Sequence, residues 1–285
     1  MGEKDLIPIL TPPNDIQPLK SIAELESSQQ LLLNQLTEFV YDNLLLPIED
    51  SNYQREKSWL NEECLKRYLR ASKWNLNDAK NRIKYSIDWR REYKPSDIDP
   101  KEVEPEVITG KIHINGFDLN GRPLVYLRPG LENTKPGPRQ VRNVVFIFEA
   151  AIKLMPKNIE NIVLLVDFDK CSARTSPGLG AAKEFMHVLS SHYVERLAMA
   201  LVINAPWYFW SFFKLISPFI DPVTKSKIKF VDLNNSCNDK SNSGWVNLTD
   251  LIPKEQLETE YGGTNSFEYH HETYWSILLE KIGKK

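Results

Sequence analysis

Asp167 and Asp169 stand one residue apart at the end of the apolar run Ile162–Val166, and two carboxylates so placed could hold a magnesium ion. Capping a helix or bracing a turn is the more ordinary work of such a pair. The five histidines are His113, His187, His192, His270 and His271, and none stands at a spacing with carboxylates that implies a metal. His270 and His271 are adjacent and read as exposed residues of the tail. Cys64, Cys171 and Cys237 are odd in number and widely separated, which suggests neither a disulfide framework nor a zinc site. The sequence has no Gly-rich phosphate loop, Gly-x-Ser-x-Gly elbow or His-Glu-x-x-His helix. No catalytic residue, metal or cofactor is therefore expected. A hydrolase on an α/β sheet, for which Asp167 would be the first residue to mutate, lacks a nucleophile and base at any recognised spacing.

The remaining chemistry lies between Asn204 and Lys227. Pro206 opens a helix at its first position, and Trp207, Tyr208, Phe209, Trp210, Phe212, Phe213, Leu215 and Ile216 surround nearly its whole circumference. Such a helix has no face for water. It is shorter than the roughly 20 apolar residues that span a bilayer, so it must lie against protein, a ligand or a membrane surface. A small polar and basic turn with Thr224, Lys225 and Lys227 follows it. An apolar body beside a cationic, hydroxyl-bearing turn suits a lipid.

The elements that must position these residues follow from composition and periodicity. Hydrophobic residues at 41% and charged residues at 26% are ordinary for a soluble globular protein, and a formal net charge of -2 argues against nucleic acid as a partner. The first residues lack the basic flank and apolar core of a secretory signal, and Leu6 stands where a myristoylation pattern wants Ser or Thr. A cytoplasmic protein with reversible, peripheral membrane contact is expected. Residues 1–20, with Pro8, Pro12, Pro13 and Pro18, read as an extended arm. Helical spacing over Gln30–Asn43, Trp59–Ala71 and Leu76–Tyr93 predicts a helical lobe over 21–105, closed by a linker in which Pro95, Pro100 and Pro105 break the periodicity. Over 106–285, the apolar runs Leu124–Leu127, Ile162–Val166, Ala200–Ile203 and Ile228–Val231 alternate with helical segments at Val141–Leu154, Leu179–Ser190 and the aromatic stretch. That alternation predicts an α/β domain with a mostly parallel sheet. Asn234–Gly244 reads as a surface loop, and Leu248–Leu257 and Phe267–Lys281 as further helical pieces.

The tracts Leu65-Lys-Arg-Tyr-Leu-Arg-Ala-Ser-Lys-Trp74, Asn120-Gly-Arg-Pro123, Tyr193-Val-Glu-Arg196, Asn204-Ala-Pro206, Pro218-Phe-Ile-Asp-Pro-Val-Thr-Lys-Ser-Lys227 and Tyr261-Gly-Gly263 together resemble the CRAL-TRIO family of lipid-transfer proteins. The similarity runs from about Trp59 to Trp275, in order and spacing, and looks closest to the fungal Sec-fourteen-like phosphatidylinositol transfer proteins. Trp59-Leu-Asn-Glu-Glu-Cys64, Arg139-Gln-Val141 and Tyr269-His-His-Glu-Thr-Tyr-Trp275 further resemble the branch associated with azole resistance in yeasts.

The resemblance implies a helical lobe and a lipid-binding lobe with a sheet floor. It also implies a gate helix, carrying Trp207, Trp210, Phe212, Phe213 and Ile216, that opens or covers an acyl-chain cavity. Matched position by position, the phosphatidylinositol headgroup falls to Lys73, Glu195, Thr224 and Lys227. Two ammonium groups neutralise a phosphate, and a carboxylate and a hydroxyl serve inositol hydroxyls. Ser72 replaces an arginine of the family tract. Where family members place phosphatidylcholine contacts, this chain has His113, Ile114, Ile162 and Leu164. Isoleucine and leucine offer a choline phosphate neither hydroxyls nor aromatic faces. Weak phosphatidylcholine binding is expected, and Ile114, Ile162 and Leu164 suit a sterol or other apolar second lipid. The implied role is exchange of lipids between membranes at lipid droplets or the cell-periphery endoplasmic reticulum. The alternative is presentation of phosphatidylinositol to a lipid kinase.

Overall fold

The computed structural model describes residues 5–13, 25–172, 179–220, 222–231, 233 and 245–284, with backbone alone for Leu179, Ala181, Tyr208, Phe212, Ile216 and Phe219. Residues 1–4 and 14–20 of the predicted arm, the predicted loop 234–244 and Cys237 lie outside the described residues. The chain divides into two compact units: Lys20–Lys94 with His187–Glu195, and Met1–Leu19 with Pro95–Met186 and Arg196–Lys285.

The smaller unit is built on α1 (Ser27–Asn43), α2 (Tyr53–Trp59), α3 (Glu62–Ala71) and α4 (Leu76–Tyr93). Leu33, Leu36 and Val40 of α1, Leu65, Tyr68 and Leu69 of α3, and Ala79, Ile83 and Ile87 of α4 recur at helical spacing and form one core. The single helix predicted over Trp59–Ala71 is broken, because the Asn61 side chain accepts from the Cys64 amide at 2.9 Å and starts α3 anew. Asn75 caps α4 in the same way, accepting from Asp78 at 3.0 Å.

In the larger unit, the stretch expected as a linker is helical: α5 spans Pro100–Val107. Pro100 sits at the first helical position, where its missing N–H would have had no partner, and Asp99 caps the turn by accepting from Lys101 at 2.9 Å. A six-stranded sheet follows in sequential order. Strand β1 (Ile112–Phe117) runs antiparallel to β2 (Pro123–Leu127); β3 (Ile162–Asp167), β4 (Leu197–Ile203), β5 (Ile228–Val231) and β6 (Trp245–Val246) continue in parallel. The sequence reading did not include β1 and β6. Helix α6 (Pro138–Leu154) joins β2 to β3, α7 (Leu179–His192) joins β3 to β4, and α8 (Trp207–Ile216) with α9 (Pro222–Ser226) joins β4 to β5. The right-handed crossovers that parallel connections take, all stepping in one direction, put these helices on one face.

Register assigns each strand residue to a face. Ile114, Val125, Leu164, Ala200 and Ile228 form one row on the helix-bearing face, and Leu127, Val166, Val202, Phe230 and Trp245 form another. His113, Tyr126, Leu165, Leu201 and Lys229 lie on the opposite face. That face is covered by Leu248, Ile252, Leu257 and Tyr261. Only a 3-10 turn, Leu248–Asp250, forms where a helix was predicted over 248–257, and the segment serves instead as a lid on the sheet. Helix α10 (His271–Lys281) brings the Tyr274 hydroxyl to the Ile114 amide at 2.7 Å, and Ile9 of the extended arm bonds to Asn115 and Gly116. Both contacts occupy the free edge of β1.

Candidate functional site

Two central strands show a difference between the sheet's faces. Leu165 and Leu201 are fully buried on the lidded face, whereas Val166 and Ala200, one residue away in the chain, are only half-buried on the helix-bearing face. Ile228 and Phe230 are half-buried there too. At the other end of the same face, Ile114, Val125 and Leu164 are closed in. Ile162 opens β3 fully buried, its amide held by the Arg196 carbonyl at 2.8 Å. The face is thus an apolar floor, filled toward β1 and at Val202, and more thinly covered at Val166, Ala200, Ile228 and Phe230.

Helix α8 stands over the thinly covered end. Trp210 lies 4.6 Å from the Phe230 ring, Phe209 meets Phe168 edge-on at 4.9 Å, and Phe209 and Phe213 stack at 5.7 Å. Phe209 is buried, while Trp207 is 84% exposed and Trp210, Ser211, Lys214, Leu215 and Pro218 continue an exposed stripe at helical spacing. The expectation of a helix with no face toward water is corrected by this split: one side seats aromatic rings on the sheet, and the other presents tryptophan, leucine and lysine outward. The side chains of Phe212 and Ile216 lie outside the described residues.

The four residues assigned to a headgroup occur two in each unit. In the smaller unit, α3 ends in consecutive left-handed residues, Lys73 at φ 50° and Trp74 at φ 62°, and Glu195 has φ 57°. Left-handed backbone is uncommon outside glycine and is a true outlier for a bulky Trp74. Strain of this kind clusters where side chains must be held in place. The Lys73 and Trp74 amides are retained by the Arg70 and Leu69 carbonyls at 2.9 and 2.8 Å, and the Lys73 side chain is exposed. In the larger unit, the Lys227 amide donates to Thr224 at 3.1 Å and its carbonyl accepts from Ala200 at 3.0 Å. The basic turn is therefore fastened to the floor through its backbone.

His113 departs from the sequence assignment. It was grouped with Ile114, Ile162 and Leu164, but a strand turns successive side chains to opposite faces. His113 points away from the floor, stacked 4.8 Å from Tyr126 and 3.0 Å from the Glu258 carboxylate. Burial alone would raise the Glu258 pKa, yet His113 and Arg128 outweigh it and hold the carboxyl at about 2. Asp167 is likewise engaged, accepting from Asp169 N at 2.9 Å, Asn204 Nδ2 at 2.8 Å and the Tyr261 hydroxyl at 2.8 Å. It braces turns, and among the described residues no group of three or more His, Cys, Asp or Glu could hold a metal. His271 is no bare tail residue: it pairs with Glu104 at 3.2 Å and stacks on Trp275. The sequence reading missed Ala200, Val166, Ile228 and Phe230 as floor residues; their signal was alternation within short apolar runs.

The family model for the CRAL/TRIO domain matches residues 108–263, and the model for its N-terminal domain matches residues 32–84. The chain belongs to the CRAL/TRIO family. It is 41% identical over 90% of its length to a CRAL-TRIO domain-containing protein of Schizosaccharomyces pombe, and spans 25% of that relative. It is 36% identical over 80% of its length to the phosphatidylinositol transfer protein PDR17 of Saccharomyces cerevisiae, of which it spans 64%. The crystal structure of Sfh5 covers 90% of this chain and 97% of its own at a TM-score of 0.63 and 15% identity, a likeness of fold. The CRAL/TRIO match contains the whole floor, helix α8 and the basic turn. Among the described residues no helix is long and apolar enough to cross a membrane.

Proposed function

We propose that this CRAL/TRIO chain binds phosphatidylinositol and exchanges it between membranes, with its acyl chains against the floor of Ile114, Ile162, Leu164, Val166, Ala200 and Phe230. The observation that carries the reading is the contrast between the two sides of the central strands, together with an aromatic helix half seated on the open side. Each methylene moved from water to such a floor contributes about 0.8 kcal/mol, and the floor need only match the bilayer for exchange to proceed. Helix α8 acts as the gate. Its exposed Trp207, Trp210 and Leu215 favour the membrane interface, where aromatic rings sit well, so the bilayer stabilises the open form.

In this reading Lys73 and Lys227 neutralise the phosphate while Glu195 and Thr224 serve the inositol ring. The second lipid is a sterol or another apolar molecule rather than phosphatidylcholine, because Ile114, Ile162 and Leu164 supply no hydroxyl. The named relative PDR17 supports the phosphatidylinositol assignment. Membership of the azole-resistance-associated branch and a cytoplasmic, peripherally membrane-bound location complete the proposal. The test is transfer of labelled phosphatidylinositol between vesicles by wild type and by a Lys227→Ala, Glu195→Ala double variant. Transfer abolished in the variant supports the reading; equal transfer overturns the headgroup assignment. Presentation to a lipid kinase is the alternative, marked by kinase stimulation without bulk transfer.

A further inference from the structure

The segment that starts α8 is held from below. Asn204 takes φ 53° just before Ala205 and Pro206, and its side-chain amide donates to Asp167 Oδ1 at 2.8 Å. The same oxygen accepts from Asp169 N at 2.9 Å, and the other carboxylate oxygen accepts from the Tyr261 hydroxyl at 2.8 Å. Asp167 and Tyr261 are both buried, and Tyr261 belongs to the core on the lidded face. A carboxylate at the end of β3 therefore ties the lead of α8 to the layer beneath the sheet. Among the described residues α8 is also seated by ring contacts of Phe209, Trp210 and Phe213 on Phe168 and Phe230.

We propose that Asp167 is a positioning residue for the gate: with Asn204 and Tyr261 it forms a clamp that sets how readily α8 leaves its seat, and hence how fast lipid is released. The proposal rests on the gate reading above. The clamp controls the rate of opening, whereas the aromatic rings and the lipid set the affinity. Hydrogen bonds to a charged group are stronger than neutral ones, and the loss of one accelerates opening about tenfold.

The test is hydrogen exchange on the full lipid-free chain. In Asn204→Asp the side chain keeps its size and its tolerance of left-handed backbone, but sets a carboxylate against Asp167 in place of a donor. Amide exchange across Trp207–Ile216 then rises about tenfold, with β3, β4 and β5 unchanged. Asp167→Asn retains an oxygen for Asn204 and an amide for the Tyr261 hydroxyl but loses the charge, so its α8 exchange falls between wild type and Asp167→Ala, which matches Asn204→Asp. Unchanged exchange in α8, a uniform rise across the sheet, or Asp167→Asn behaving as Asp167→Ala overturns the clamp. Release of labelled phosphatidylinositol from loaded protein separates the two claims. A chain that takes up no lipid sinks the gate reading and leaves the exchange result standing; lipid held normally with α8 exchange unaltered sinks the clamp alone.

Discussion

Ala200 and Leu201 are neighbours on β4 that face opposite sides of the sheet, and they offer a direct comparison of an open floor with a packed core. Ala200 pairs with Leu164 and Ile228 and is half-buried; Leu201 pairs with Leu165 and is fully buried. Ala200→Leu adds about three methylene equivalents to the floor. If these displace lipid, the lost burial is about 2 kcal/mol at 0.8 kcal/mol per methylene, or roughly 30-fold in affinity. The lipid-free protein should lose little stability, because Ala200 is only half-buried. Leu201→Phe enlarges a filled core instead, and overpacking costs about 1–3 kcal/mol. For a chain of this size that lowers Tm by about 3–10 °C. The assays are phosphatidylinositol binding and thermal unfolding of lipid-free protein. Equal losses of Tm in both variants, with lipid affinity unchanged in Ala200→Leu, would refute the claim that the helix-bearing face is a ligand floor.

Other consequences follow from named groups. His192 is buried against Trp89 at 4.2 Å, and burial first, then His187 and Arg90, lower its pKa to about 4. The unfolded chain therefore takes up its proton first, and the helical unit loses stability of order 2–3 kcal/mol as pH falls from about 6.5 to 4. In His192→Phe this acid loss largely disappears; an unchanged pH profile of helical-unit exchange contradicts it. Glu258, held at about 2, contributes stability above its unfolded pKa near 4.5 that is lost as pH falls toward 2. Glu258→Gln lowers stability at pH 7 and flattens the pH dependence of thermal stability in the sheet-bearing unit over that acid range. Trp207→Ala with Leu215→Ala leaves Tm within about 1–2 °C, since both are exposed, yet weakens vesicle binding by more than tenfold. Equal sedimentation with vesicles would count against α8 as the membrane-facing element.

The parallel strands were legible because Ile162–Val166 and Leu197–Ile203 are uninterrupted apolar runs. Strand β1 was not, since His113, Asn115 and Gly116 break the run; they answer to Glu258, to the extended arm and to Gln256 rather than to a simple core. At Gly116, with φ 80°, a Cβ would stand 2.2 Å from the Gln256 carbonyl, a constraint invisible without the fold. Leu248–Leu257 has helical spacing, but its apolar residues are spent covering Leu124 and Leu165 in an irregular chain. The aromatic helix was evident from composition, whereas its division into a seated and an exposed side depended on Phe168 and Phe230, far away in sequence. Lys73, Glu195, Thr224 and Lys227 were reached only through resemblance, as no spacing unites them. The brace of Asp167 by Asn204 and Tyr261 joins residues 37 and 94 positions away, beyond any local pattern.

The central claim is that the open floor holds a phosphatidylinositol, and mass spectrometry of lipids extracted from the purified chain tests it most directly. Wild type should carry phosphatidylinositol with little phosphatidylcholine, and Ala200→Leu should carry markedly less of both. A chain that carries no lipid, or one enriched in phosphatidylcholine and indifferent to Ala200→Leu, contradicts the account.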